Sequence, residues 1–132
     1  MYSSNSNNFD PIKFLDVAKT IKGSSYNGEE YCRTLINRAY YAAFGHIRKK
    51  IPSVVNRGPS VHKDLIDYLK NINGYKIIGD NLEELFKKRK RSDYDYYTKS
   101  QNISDCSFII QDAEQIINDF DKLENERKNN IY

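Results

Sequence analysis

The sequence predicts an all-α domain, an antiparallel up-and-down bundle of four to five helices. Three observations predict it. Apolar residues recur at helical spacing along most of the 132-residue chain. No stretch alternates apolar and polar residues as a half-buried strand would. The breaks between the periodic stretches are short, which favours antiparallel neighbours.

Residues 1–8 are rich in Ser and Asn and read as disordered, 9–123 as the bundle, and 124–132 as a charged, frayed tail. The first helix opens with Asp10 as its cap and Pro11 at the first helical position. Ile12, Leu15, Val17, Ala18 and Ile21 carry its period until Gly23-Ser24-Ser25 breaks it. Gly28-Glu29-Glu30 opens the long second helix with acid in its first turn, as the helix dipole prefers, and the helix should run to about Lys50.

That second helix organises the rest. Cys32, Leu35, Ile36, Ala39, Tyr40, Ala43 and Ile47 form one apolar stripe, and Tyr31, Thr34, Arg38, Tyr41, Ala42 and Gly45 form a second beside it. A helix apolar on most of its circumference belongs at the centre of its domain. Its small residues Ala39, Ala42, Ala43 and Gly45 admit close approach by another helix, and the double stripe is a candidate dimer wall. Arg38 on the flank of a buried stripe needs a partner, expected in the turn after the fourth helix, with Asp93 the foremost candidate.

Ser60 should cap a third helix through Val61, Leu65, Ile66, Tyr68 and Leu69, ended by the turn signal Asn73-Gly74. The fourth runs from Tyr75 to about Arg91 on the stripe Ile78, Leu82, Leu85, Phe86, and the next step of that stripe is Arg89. The last begins near Ser104 and carries the cleanest pattern, Cys106, Ile109, Ile110, Ala113, Ile116, Ile117, Phe120 and Leu123.

Composition excludes several chemistries. With 39% hydrophobic and 30% charged residues the chain is of ordinary globular type, and a net charge of +3 does not by itself argue for nucleic acid. Eleven tyrosines and no Trp give an amphipathic core whose hydroxyls want hydrogen bonds. The two cysteines, Cys32 and Cys106, lie on apolar stripes without a C-x-x-C pair, so neither a zinc site nor any other metal is expected. No Gly-rich phosphate loop and no nucleophile triad are present, and no cofactor is expected. The N-terminus lacks a signal-peptide pattern and no apolar run matches a bilayer, so a cytoplasmic protein without membrane contact is expected.

The sharpest polar cluster is Lys87-Lys-Arg-Lys-Arg-Ser-Asp93-Tyr94-Asp-Tyr96-Tyr97. Its bland reading is a helix end with solvated basic residues that suit the dipole. Its functional reading is a phosphate or RNA-backbone site, because guanidinium pairs with phosphate and tyrosine stacks on unpaired bases. Arg89 stands between the two readings, since it continues an apolar stripe. His62, in the first turn of the third helix, is expected to be a neutral hydrogen-bonding residue, and His46 a packed one.

Arg38-Ala-Tyr-Tyr-Ala-Ala-Phe44, His62 at the head of the third helix and Arg89-x-x-Ser92-Asp93-Tyr94 together resemble the HEPN domain family, in its prokaryotic branch found beside minimal nucleotidyltransferases. The resemblance covers roughly residues 10 to 122. It implies a helical bundle that dimerises and a toxin–antitoxin or phage-defence setting. Many members are metal-independent ribonucleases that use an Arg followed four to six residues later by a His. In the toxin subgroup a Tyr two positions after that His is adenylylated by the partner nucleotidyltransferase. Here Arg89 matches the arginine, Tyr94 stands where the His belongs, and Tyr96 matches the acceptor tyrosine. With a pKa of about 10, a tyrosine is a poor general base at neutral pH.

The resemblance therefore implies Arg89 and Tyr94 as the catalytic pair of a degenerate motif. Arg89, Arg91, Asp93, Tyr96 and Tyr97 would be the nucleotide- or RNA-binding set. Arg38, Tyr41, His46 and His62 would be structural support, and Tyr96 the possible adenylylation acceptor. Three functions follow as expectations. The first is a dimeric module that binds nucleotide, RNA or a nucleotidyltransferase. The second is an active metal-independent ribonuclease, with Tyr94, Asp93 or His46 as the base. The third is a structural docking subunit.

Overall fold

The structure is a computed structural model and describes residues 9–22, 29–51, 60–94, 106 and 108–129. Within these the regular structure is helical: α1 Lys13–Lys22, α2 Glu29–Lys50, α3 Val61–Lys70, α4 Lys76–Tyr94 and α5 Ile109–Asn129. Among the described residues there is no strand. Among the described residues the chain forms the predicted all-α bundle, with five helices where four to five were expected.

The contacts give the directions. Pro11, at the head of α1, meets Gly45 near the end of α2, while Phe14 meets Tyr41. On α4, Lys88 reaches Asp112 at the start of α5, and Tyr75, just before α4, reaches Glu124 near the end of α5. Arg33, early in α2, reaches the last turn of α4. Each of these pairs is antiparallel.

The core forms around α2. Cys32, Leu35, Ile36, Ala39, Tyr40, Ala43 and Ile47, the predicted stripe, are all at most 1% exposed. Against them pack Leu15 and Ala18 of α1, Leu82 and Leu85 of α4, and Ile109, Ala113, Ile116 and Phe120 of α5. Helix α3 closes one side through Leu65, Ile66 and Leu69.

Local chemistry sets the helix ends. Asp10 Oδ1 accepts from the Ile12 amide at 3.1 Å, the cap expected ahead of Pro11. Ser60 occupies the N-cap position of α3 but makes no side-chain cap bond. Its hydroxyl donates instead to Asp64 Oδ2 at 3.1 Å. The turn at Gly74 has φ +93°, the left-handed region that glycine enters without strain.

Two boundaries differ from the sequence reading. Helix α4 runs three residues beyond Arg91, because Arg33 of α2 donates to the Ser92 and Arg91 carbonyls in its last turn. Those carbonyls have no partner within the helix. Helix α5 continues to Asn129, where a frayed tail was expected from Glu124. Tyr75 donates to Glu124 Oε2 at 2.5 Å, and the Arg127 guanidinium lies over the Tyr75 ring, so the charged end has an aromatic anchor.

Candidate functional site

The apolar stripe of α4 delivers Arg89 into the bundle, where it is 8% exposed. Its guanidinium lies over three rings, 5.5 Å from the centroid of Tyr40, 5.4 Å from Tyr41 and 5.5 Å from Phe86. Its Nη1 donates to the Tyr41 hydroxyl at 2.9 Å. A guanidinium is weakly hydrated and has a flat face, so stacking on aromatic rings offsets part of the cost of burying it. The carbonyl of Arg89 accepts from the Ser92 hydroxyl at 2.9 Å, which tightens the turn that follows.

Beside Arg89 lies a second polar pair. The Tyr40 hydroxyl is 2.7 Å from His62 Nδ1. Tyr40 is fully buried, and burial pushes its phenol well above the ordinary value against the pull of Arg89. It therefore keeps its proton, and because Nδ1 is the hydroxyl's one hydrogen-bond partner among the described residues, we assign the hydroxyl as the donor and place the imidazole's own proton on Nε2. Burial, and then the charges of Arg89 and Arg48, lower His62 from 6.5 to about 4. At neutral pH His62 is thus an uncharged ring with an N–H to offer. The ring is sandwiched, stacking on Phe86 at 5.3 Å and 13° and lying 4.3 Å from Phe44.

His62 and Phe86 line one wall of a cleft between α3 and α4, with a volume of about 380 Å³. Ile66 adds apolar surface, and Lys63, Lys87, Lys90 and Glu83 line the rest with Ser60. Three lysines face one glutamate, and that glutamate is held by Lys70 of α3 at 2.5 Å. Lys63 leans on Asp67 at 2.9 Å and Lys87 more loosely on Glu84 at 3.5 Å. Lys90 is exposed, its ammonium 5.4 Å from the Phe86 centroid, and among the described residues it has no acidic partner. The arrangement is an electropositive cleft with an apolar floor and a neutral hydrogen-bond donor. Arg89 stands behind its wall and acts on it through charge.

No family model, curated protein or solved structure matches this chain.

The structure distributes the sequence-predicted residues over several places. Arg89, Tyr41 and His62 come together. Arg38 does not join them: its guanidinium lies over the Phe14 ring of α1, 5.1 Å from the centroid. Among the described residues the arginine that holds the end of α4 is Arg33, one turn earlier on the same helix. His46 lies at the other end of α2, where its Nε2–H donates to Asp121 Oδ1 at 2.7 Å and its ring meets Phe120 edge-on. That separates it from Arg89. Arg91 is exposed on α4. Asp93 and Tyr94 end α4, and their side chains, like Tyr96 and Tyr97 altogether, lie outside the described residues.

The residue the sequence reading undervalued is Tyr40. Its place on the core stripe marked it as packing, and only the pairing with His62 shows what its hydroxyl does. Lys63 also escaped, because lysines on two separate helices give no local signal of convergence, whereas Lys90 stood in the basic run already weighed as a phosphate site. Among the described residues no cluster of three His, Cys, Asp or Glu side chains can hold a metal. No described helix is long and apolar enough to cross a membrane.

Proposed function

We propose that this chain is a HEPN-like module that binds RNA or nucleotide rather than cleaving it. A dimer and a minimal nucleotidyltransferase partner belong to the same reading, in a toxin–antitoxin or defence setting. The observation that carries it is the coupling of Arg89, Tyr41, Tyr40 and His62 to a lysine-lined cleft between α3 and α4. A stacked arginine, aromatic rings and a lysine-lined cleft with Lys90 lacking an acidic partner among the described residues are chemistry that suits phosphate-bearing ligands.

The state of His62 argues for binding over cleavage. A general base in metal-independent RNA cleavage must accept the 2′-hydroxyl proton. With Nδ1 occupied by Tyr40 and Nε2 protonated, His62 has no lone pair to offer. The docking-subunit reading has one observation in its favour, the burial of Arg89, which suits a structural cation.

Titrating labelled single-stranded RNA into the protein, with anisotropy as readout, tests the proposal. Binding should weaken as salt rises. Arg89→Gln, checked for folding by its thermal melt, should weaken it further. Incubating RNA with the protein in EDTA should leave the RNA intact. Absence of RNA binding and of nucleotide binding at low salt would sink the proposal, and cleavage that survives partner-free purification would replace it with the ribonuclease.

A further inference from the structure

We propose that the α3–α4 cleft is a phosphate-monoester site, in which Lys90 and Lys87 meet the charge and the His62 Nε2–H donates to a phosphate oxygen. The occupant is of mononucleotide size, free or as the 5′-phosphorylated end of an RNA. The inference rests on the reading of the chain as a binder of phosphate-bearing ligands, and it names the place and the ligand group.

Four observations carry it. The cleft volume of about 380 Å³ falls within the range of small-ligand sites and exceeds what a bare anion needs. The lining cations outnumber the acid, and that acid is already engaged by Lys70. A phosphate monoester carries about −1.5 to −2 at pH 7, against −1 for a backbone diester, so a cleft with several ammonium groups and a neutral donor suits it better. Third, among the described residues the Lys90 ammonium meets the Phe86 ring and no acid, and Lys87 is held only by a 3.5 Å contact to Glu84, so both can swing to a ligand at little cost.

The fourth is the fixed proton on His62. With the Tyr40 hydroxyl as donor to Nδ1, the ring proton lies on Nε2, which among the described residues makes no hydrogen bond and is open to an acceptor brought into the cleft that His62 lines. A donor locked by a buried phenol selects ligands rich in acceptor oxygens. Arg89 and Arg48 add positive potential from behind without entering the cleft. The Phe86 ring already meets the His62 ring and the Arg89 and Lys90 cations, so the proposed contact is to the phosphate.

The probes are AMP, adenosine, and one RNA oligonucleotide with either a 5′-phosphate or a 5′-hydroxyl. The readout is the His62 ring ¹⁵N and N–H signals, with calorimetric titration alongside. Expected is an Nε2-protonated ring in the free protein, shifted by AMP and not by adenosine. A stronger response to 5′-phosphorylated than to 5′-hydroxyl RNA assigns the site to RNA ends, and a response to AMP alone assigns it to free nucleotide. Lys90→Glu should weaken AMP binding about tenfold, the loss of one charge-assisted contact, while the same charge change at Lys122→Glu on α5 leaves it within about twofold. His62→Gln, which keeps an N–H near the Nε2 position, should retain binding that His62→Leu loses. Equal responses to AMP and adenosine, or none at His62 from any probe, would overturn the site. RNA binding that depends on Arg89 with a silent His62 refutes this cleft and spares the broader proposal. AMP binding at His62 by a protein that binds no RNA does the reverse for an RNA-directed role.

Discussion

His62 shows how one side chain inherits its chemistry from its neighbours. An imidazole near the start of a helix is ordinarily free to titrate near neutrality. Here the Tyr40 phenol, the rings of Phe44 and Phe86, and the charges of Arg89 and Arg48 all disfavour the cation, and the value falls to about 4. The folded-state value lies below the unfolded one, so the unfolded chain binds the extra proton between about pH 6.5 and 4. The stability tied to neutral His62 is complete above the unfolded value and drains away as pH falls through that window. The melting temperature of the protein should therefore drop more steeply between pH 6.5 and 4 than that of His62→Gln, which has no proton to gain. Parallel slopes for the two proteins would refute this account of His62.

At the scale of elements, close approach is made by glycine at two contacts. A Cβ on Gly45 would stand 2.6 Å from Pro11 Cβ and 2.9 Å from its Cγ. A proline ring is fused to its backbone and cannot swing aside. Replacing glycine by alanine in a helix interior normally gains about 1 kcal/mol. Overpacking costs about 1 to 3 kcal/mol. The clash should win, so Gly45→Ala is expected to lower stability in chemical denaturation, with the head of α1 the segment displaced. A Cβ on Gly79 would stand 2.9 Å from Lys70 Cγ, 3.0 Å from the Lys70 backbone nitrogen and 3.2 Å from Leu69 Cβ, so the bare glycine lets α4 seat closely on α3.

Among the described residues the five helices share one core, and its far end is tied by aromatic rings. Phe120 is fully buried, 6.0 Å from the Tyr75 ring and 6.1 Å from His46, between α2, α4 and α5. Phe120→Ala removes a ring from the middle of that junction and should cost about 3 to 5 kcal/mol. Because one core serves every helix, the loss should appear equally in far-UV circular dichroism and in tyrosine fluorescence, as one cooperative transition shifted to lower denaturant. Two separated transitions would mean that the helices do not share a single cooperative unit.

Periodicity alone determined the helices of this chain and the central place of α2, because burial of an apolar stripe is a local property repeated every 3.6 residues. It also marked Arg89, as the one cation on the α4 stripe. Partner choice was not legible. Arg33 and Arg38 are both arginines on the flank of α2, and nothing in their spacing says that Arg33 reaches the carbonyls of α4 while Arg38 turns to Phe14 of α1. That depends on the angles at which α1 and α4 cross α2, which side-chain packing along their full lengths sets. The Tyr40–His62 pair joins residues 22 positions apart, and the cleft joins lysines of α3 and α4. Hydrogen bonds and electric fields act through space, so the site exists only once the tertiary fold has brought these groups together.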